Sequence, residues 1–192
     1  MHKVTYVFLL AVFALGPAVA TVLAQASLAP PAVMPVIVTA PRAAAADVES
    51  IDAIISALYD VISGGVGQAR NWNRMRSLFV PGGKLMPTIR RPDGTIGMRI
   101  LGVNDYIAGS GPQLERVGFR EREIARRVEQ FGHIAHVFST YKGRTETDSM
   151  VIRGINSIQL MNDGTRWWVV SVFWEAERPN NPLPPRYLQN EQ

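Results

Sequence analysis

The run from Val117 to Glu177 constrains this chain more than any other stretch. The segments FREREIARRVEQF, GHIAHVFSTYKGR, MVIRGINSIQLM and TRWWVVSVFWEAE follow one another there, each strand-like in composition. Between the last two lies Asn162-Asp163-Gly164, and Asp-Gly between alternating apolar runs is a strong short-range hairpin signal. Consecutive strands joined by tight turns pair with their neighbours in an antiparallel meander, which must bury at least one face. The expectation is a small α+β domain in which this meander forms the wall and the earlier residues cover it.

The earlier residues carry helical signals. Ile51, Ile54, Ile55, Leu58 and Ile62 make one stripe of an amphipathic helix, with Asp47 or Ser50 as cap and Gly64-Gly65 as stop. The GGVGQ loop after it follows a helix and lacks the Gly-Lys-Ser/Thr ending, so it is no phosphate loop. Asn71 then caps a short helix, NWNRMRSLF, whose Trp72, Met75, Leu78 and Phe79 share a face to be buried; Pro81-Gly82-Gly83 is expected to stop it. Lys84 to Arg91 and Thr95 to Leu101 read as a hairpin around Arg91-Pro92-Asp93-Gly94. A third helix is expected from Asn104, broken or kinked at Gly109-Ser110-Gly111-Pro112.

The termini read differently. Residues 1–24 have a short basic start, an apolar stretch from Val4 to Leu15 and small-x-small cleavage sites such as Val22-Leu23-Ala24, the pattern of a cleaved secretory signal. Gly16-Pro17 leaves the strictly apolar part shorter than the ~20 residues of a spanning helix. A secreted or periplasmic location follows, with no membrane attachment after cleavage. Residues 25–46 are rich in Ala and Pro and read as a linker, 47–177 as the domain, and 178–192, with four prolines, as a C-terminal strap that Tyr187 and Leu188 could anchor.

Cysteine is absent, which excludes disulfides, thiol catalysis and zinc sites built on sulfur. Net charge is +4, but the basic residues alternate with acids, as in Arg120-Glu121-Arg122-Glu123, so the one-sided patch that nucleic acid requires is not expected. No metal or cofactor motif is present. His133 and His136, read as strand residues three apart, fall on opposite faces and cannot chelate one ion together.

The order helix, short helix, hairpin, helix, long meander resembles the nuclear transport factor 2-like superfamily, whose SnoaL-like and ketosteroid-isomerase-like branches share a cone-shaped α+β fold. The resemblance covers roughly Asp47 to Glu177 and suggests an exported branch. It rests on the opening helix, WNRMRSLFVPGG, the VNDYI helix start, GHIAHVFSTYKGR and SIQLMNDGTRWWVVSVFWEAE. It implies a pocket between the concave sheet face and three helices, and a homodimer through the outer sheet face as a common arrangement. The last strand agrees with both. By strict alternation Trp168, Val170, Val172 and Trp174 share one face while Trp167, Val169 and Phe173 share the other, so both faces need cover. A second subunit would cover the outer one; the alternative cover is the terminal strap with Tyr187.

Candidate chemistry centres on Glu121 and Glu123, which share a strand face, with Phe119, Ala125 and Arg127 in the same parity. Tyr106 or His133 would act as the acid partner. A carboxylate walled by apolar groups is raised toward neutrality and suits proton transfer. The bland alternative is cross-strand ion pairing on a wet face. Ligand-binding candidates are Trp72, Met75, Phe79, Phe119, Arg153, Trp168 and Trp174. On the strand of Arg153, Asn156 falls on the opposite face, beside Ile152, Ile158 and Leu160. The leading expectation is an exported binding domain for a small apolar or amphipathic ligand; the alternative is an isomerase-, dehydratase- or hydrolase-type enzyme with a pocket Glu as base. A third reading is a partner-binding module of the cell envelope.

Overall fold

A computed structural model describes residues 40–188 of the chain, so the signal reading of 1–24 and most of the linker lie outside the described residues. Helix α1 runs Ile51–Ile62, with Ser50 as its cap: the Ser50 hydroxyl accepts from the Ala53 amide at 3.0 Å. Asp47 does not cap it. It lies in a 3-10 turn, Ala45–Asp47, and takes both Nε and Nη2 of Arg74 at 2.8 Å. Helix α2, Trp72–Leu78, starts at Asn71, whose side chain accepts from the Arg74 amide at 3.0 Å.

Strand β1 follows without a loop, Phe79–Arg90. Pro81-Gly82-Gly83 therefore does not separate helix from strand; it forms an irregularity inside the strand, where pairing jumps from Phe79 to Lys84 and Gly82 takes φ +85°. The hairpin to β2, Ile96–Met98, turns through Gly94 at φ +83°. A two-residue strand β3, Leu101–Gly102, leads into α3, Val103–Val117, which continues through Pro112 as one helix. Gly111 of α3 is buried beneath the Trp72 ring, where an added Cβ would stand 3.1 Å from the indole.

The meander forms β4 Phe119–Phe131, β5 Ile134–Thr145, β6 Val151–Asn162 and β7 Trp167–Ala176. In the sheet the order is β2-β1-β7-β6-β5-β4, with β3 on β1, and β1 runs parallel to β7 while its other pairs are antiparallel. Among the described residues this makes an open, mixed seven-stranded sheet with α1, α2 and α3 on one side, an α+β cone. Ile54, Leu78, Val137 and Val169 are fully buried between the two layers.

Two bulges decide which side chains face the helices. On β4 the pairing passes from Glu123 opposite Tyr141 to Ala125 opposite Thr140, so parity inverts after Ile124. Arg127 consequently lies on the outer face, where its Nη2 donates to the Arg186 carbonyl at 3.0 Å; Arg126 takes the inner place beside Glu123. On β7 the pairing passes from Ser171 to Val169, skipping Val170. Strict alternation therefore fails: Trp167, Val169, Val172 and Trp174 line the inner face, while Trp168, Val170 and Phe173 look outward. The strand is less evenly two-sided than alternation implied, because the bulge concentrates its buried residues on one face.

The strap docks on that outer face. Pro185–Tyr187 forms a 3-10 turn, the Tyr187 carbonyl accepts from the buried Thr140 hydroxyl at 2.8 Å, and the Tyr187 ring stands edge-on to Phe138 at 5.0 Å. Val170 and Phe173 stay 38% and 39% exposed, so the strap covers part of the face and leaves a strip open.

Arg70 ties the helix ends to the sheet. Its buried guanidinium donates to the carbonyls of Ile62 at 3.1 Å, Gly64 at 2.8 Å, Gly65 at 3.3 Å, Leu114 at 3.1 Å and Phe119 at 3.4 Å, and to that of Gln68. One side chain thus gathers carbonyls from the ends of α1 and α3 and the start of β4, of which that of Phe119 also accepts from the Gly64 amide at 2.8 Å.

Candidate functional site

Between the inner sheet face and the helices lies a cavity of about 570 Å³. Leu58, Met75, Leu85, Ile152, Ile158 and Val172 supply much of its wall, and exposed Gln113, Asp148 and Met150 mark its mouth. Glu121 enters it from β4. Directly across the pair is Gly143, whose missing side chain leaves room: an added Cβ would stand 2.6 Å from the Phe119 ring and 3.4 Å from Glu121 Oε2. Ser63 ties the backbone there to α1: its Oγ accepts from the Glu121 amide at 2.9 Å and donates to the Tyr59 carbonyl at 2.7 Å.

Burial pushes the Glu121 carboxyl up to about 7, against a smaller opposing effect of a side-chain hydrogen bond from Asn156. The residue keeps some surface open to the cavities it borders, yet desolvation remains the largest influence on it. Three phenols surround it. Tyr59 from α1, Tyr106 from α3 and Tyr141 from β5 are each raised above the ordinary tyrosine value, chiefly by burial and further by the negative charge of Glu121. They stay protonated.

A chain of hydrogen bonds runs from Glu123 to the amide beside the carboxyl. Ser139 Oγ gives its single proton to Glu123, so Tyr59 donates to Ser139 at 2.6 Å, and Asn156 Nδ2 donates to the Tyr59 oxygen at 3.1 Å. Glu123, held by Arg126 Nε at 2.7 Å, thereby sets the direction of every donor up to the amide beside Glu121. On the far side of Glu121, between α1 and β4, opens a second, polar cavity of about 460 Å³ lined by Ser56, Asp60, Arg122, Glu123 and Arg126. Glu121 stands in the wall between the two.

The structure brings Glu121, Tyr106, Met75, Phe119 and Trp174 together around the main cavity, Trp174 meeting Tyr106 edge-on at 6.3 Å. It does not bring the other candidates there. Glu123 lies in the polar cavity, paired with Arg126. His133 is exposed in the β4–β5 turn, outside any strand, and His136 bonds Ser157 on the outer face at 2.8 Å. Trp72 packs on Gly111 and Phe79 is core, because β1 begins at Phe79 and turns it inward below the cavity. Arg153 faces outward and pairs with Glu177 at 2.8 Å. Trp168, turned out by the β7 bulge, donates to Asp163 at 2.7 Å and carries the Arg166 guanidinium 3.6 Å above its ring. Tyr59, Tyr141 and Asn156 were missed. Tyr59 follows Ile55 by four residues on the helical stripe, and Asn156 interrupts an apolar strand face; a polar head among apolar neighbours was the available signal.

Among the described residues no group of three or more His, Asp or Glu side chains could hold a metal ion, and no helix is long and apolar enough to cross a membrane. No protein-family model and no curated protein matches the chain. Solved structures do. The Kfla4162 protein from Kribbella flavida superposes with a TM-score of 0.52 at 11% identity, over 68% of this chain and 90% of that one. LinA does so at 0.51 and 11% identity, over 71% and 92%. A nuclear transport factor 2-like protein of unknown function from Silicibacter pomeroyi matches at 0.45 and 11%, over 67% and 94%. The described chain shares its fold with the Kribbella flavida protein and with LinA.

Proposed function

We propose that this chain is a binding domain for a small apolar or amphipathic molecule. One observation carries the reading: an apolar-walled cavity of about 570 Å³ with an ionisable group, Glu121, held among three phenols. A panel of small apolar and amphipathic compounds, neutral, cationic and anionic, followed by thermal shift and native mass spectrometry, tests it. The expected result is a stoichiometric adduct with a raised Tm; a panel in which no compound shifts Tm refutes it.

A second reading is favoured by the position of Glu121 near neutrality. A carboxyl that titrates at about 7 beside protonated phenols can take a proton from carbon and let Tyr106 or Tyr141 donate to the oxygen that gains charge. Isomerisation or elimination on an apolar carbonyl compound fits that arrangement. Exchange of the α-hydrogens of a cyclic enone in deuterated water, read by NMR, should be accelerated by the wild type and not by Glu121→Gln. Equal rates sink the enzyme reading.

We also keep export and self-association as proposals. The N-terminal pattern supports cleavage of a secretory signal at one of the small-x-small sites ending at Ala20, Ala24 or Ala26, checked by the mass of the mature chain, and the open strip at Val170 and Phe173 supports a homodimer, checked by light scattering.

A further inference from the structure

Several features of the main cavity go together. Its lining residues include five aromatic rings, of Tyr59, Tyr106, Phe119, Tyr141 and Trp174, and two carboxyl groups, Glu121 inside and Asp148 at the mouth. Among the described residues no Lys, Arg or His lines it. The hydrogen bond from Thr145, with the Met150 amide, holds Asp148 below the usual carboxylate range, so the mouth stays negative. Aromatic faces are negative at their centres and attract alkylated ammonium groups, which bring no strong donors of their own to be satisfied. An anion would meet two carboxyl groups and, among the described lining residues, no cationic side chain.

We propose that the ligand is an organic cation, an alkylammonium whose head sits against Glu121 within the ring of aromatic side chains and whose apolar body fills the remainder of the cavity. This rests on the reading that the cavity binds a small molecule. The titratable and charged groups around Glu121 are Tyr59 and Asp60 on α1, Tyr106 on α3, Glu123 and Arg126 on β4, Tyr141 on β5, and Asp148 beyond it; Arg120, paired with Glu146 at 2.9 Å, and Arg122 stand on the opposite parity of β4, and Asn156 on β6 is polar but not titratable. Arg126 borders the polar cavity, paired with Glu123 and Asp52. Binding a fixed cation requires an ionised Glu121, so affinity weakens as the carboxyl takes up a proton.

The test is calorimetric titration of the full chain with octyltrimethylammonium, octanol and octanoate, each below its micelle concentration, at acid and mildly alkaline pH. At alkaline pH the cation should bind about ten-fold more tightly than the alcohol, a size set by one close charge contact offset by desolvation. Octanoate should bind weakest. The cation's advantage should shrink as pH falls through neutrality and be lost in Glu121→Gln; Asp148→Asn should keep the pH dependence. Octanol or octanoate binding as tightly as the cation overturns the proposal and leaves the binding reading standing. Failure of all three probes overturns both. Should Glu121→Gln not fold, the pH dependence of the cation-to-alcohol ratio in the wild type decides alone, and a flat ratio overturns the proposal.

Discussion

Replacing Glu121 by Gln keeps the shape of the side chain and removes its charge, which makes stability against pH a direct probe of the cavity. Burial raises the carboxyl from its ordinary 4.5 to about 7 in the folded chain. At ~1.4 kcal/mol for each tenfold change in proton affinity, that difference is worth roughly 3 kcal/mol, and water entering the open mouth reduces it to about 1–3 kcal/mol. The sign follows from proton uptake. Between 4.5 and about 7 the folded chain binds the proton that the unfolded chain has released, so stability falls as pH rises across that window and levels above it. Urea unfolding at pH 5 and pH 8 should therefore show the wild type losing about 1–3 kcal/mol relative to Glu121→Gln, with equal m-values. Glu121→Gln should be the more stable protein at pH 8. Parallel pH profiles for the two would refute the claim that apolar walls surround this carboxyl.

Further outcomes are expected elsewhere. Arg70→Met should cost about 3–5 kcal/mol in urea unfolding, because it strands the carbonyls that bring α1, α3 and β4 together; a loss under 1 kcal/mol would show that water replaces the guanidinium. Gly143→Ala places a Cβ 2.6 Å from the Phe119 ring, so it should cost about 1–3 kcal/mol and weaken ligand binding at Glu121, as seen by calorimetry; unchanged binding would show that Phe119 moves freely. Tyr187→Ala removes the ring packed on Phe138 and should make the strap the first site of proteolysis, with the domain intact by mass spectrometry; a cut first within the meander would argue against strap docking.

Much of the fold was legible because it depends on local rules. The stripe from Ile51 to Ile62, the caps at Ser50 and Asn71, and the Asp93-Gly94 and Asp163-Gly164 turns each act within a few residues, where spacing and backbone preference suffice. In the second of these turns the Asp163 carboxylate accepts from the Thr165 and Arg166 amides and so closes the hairpin locally. That Glu121 and Glu123 share a strand face was legible for the same reason, because parity holds close to the start of β4; which side of the sheet they face was not.

What the chain did not disclose locally is where alternation fails. A bulge adds one residue on one strand only, and its position is set by the partner across the sheet, so Arg127 and Trp168 could not be assigned to the outer face from their own neighbours. The same holds for Tyr59, Asn156 and Ser139, which come from three elements and meet only when α1 lies on β5 and β6. Sequence alone determined the elements and the apolar wall; tertiary packing decided which carboxyl is desolvated, because burial is a property of the surroundings and not of the residue.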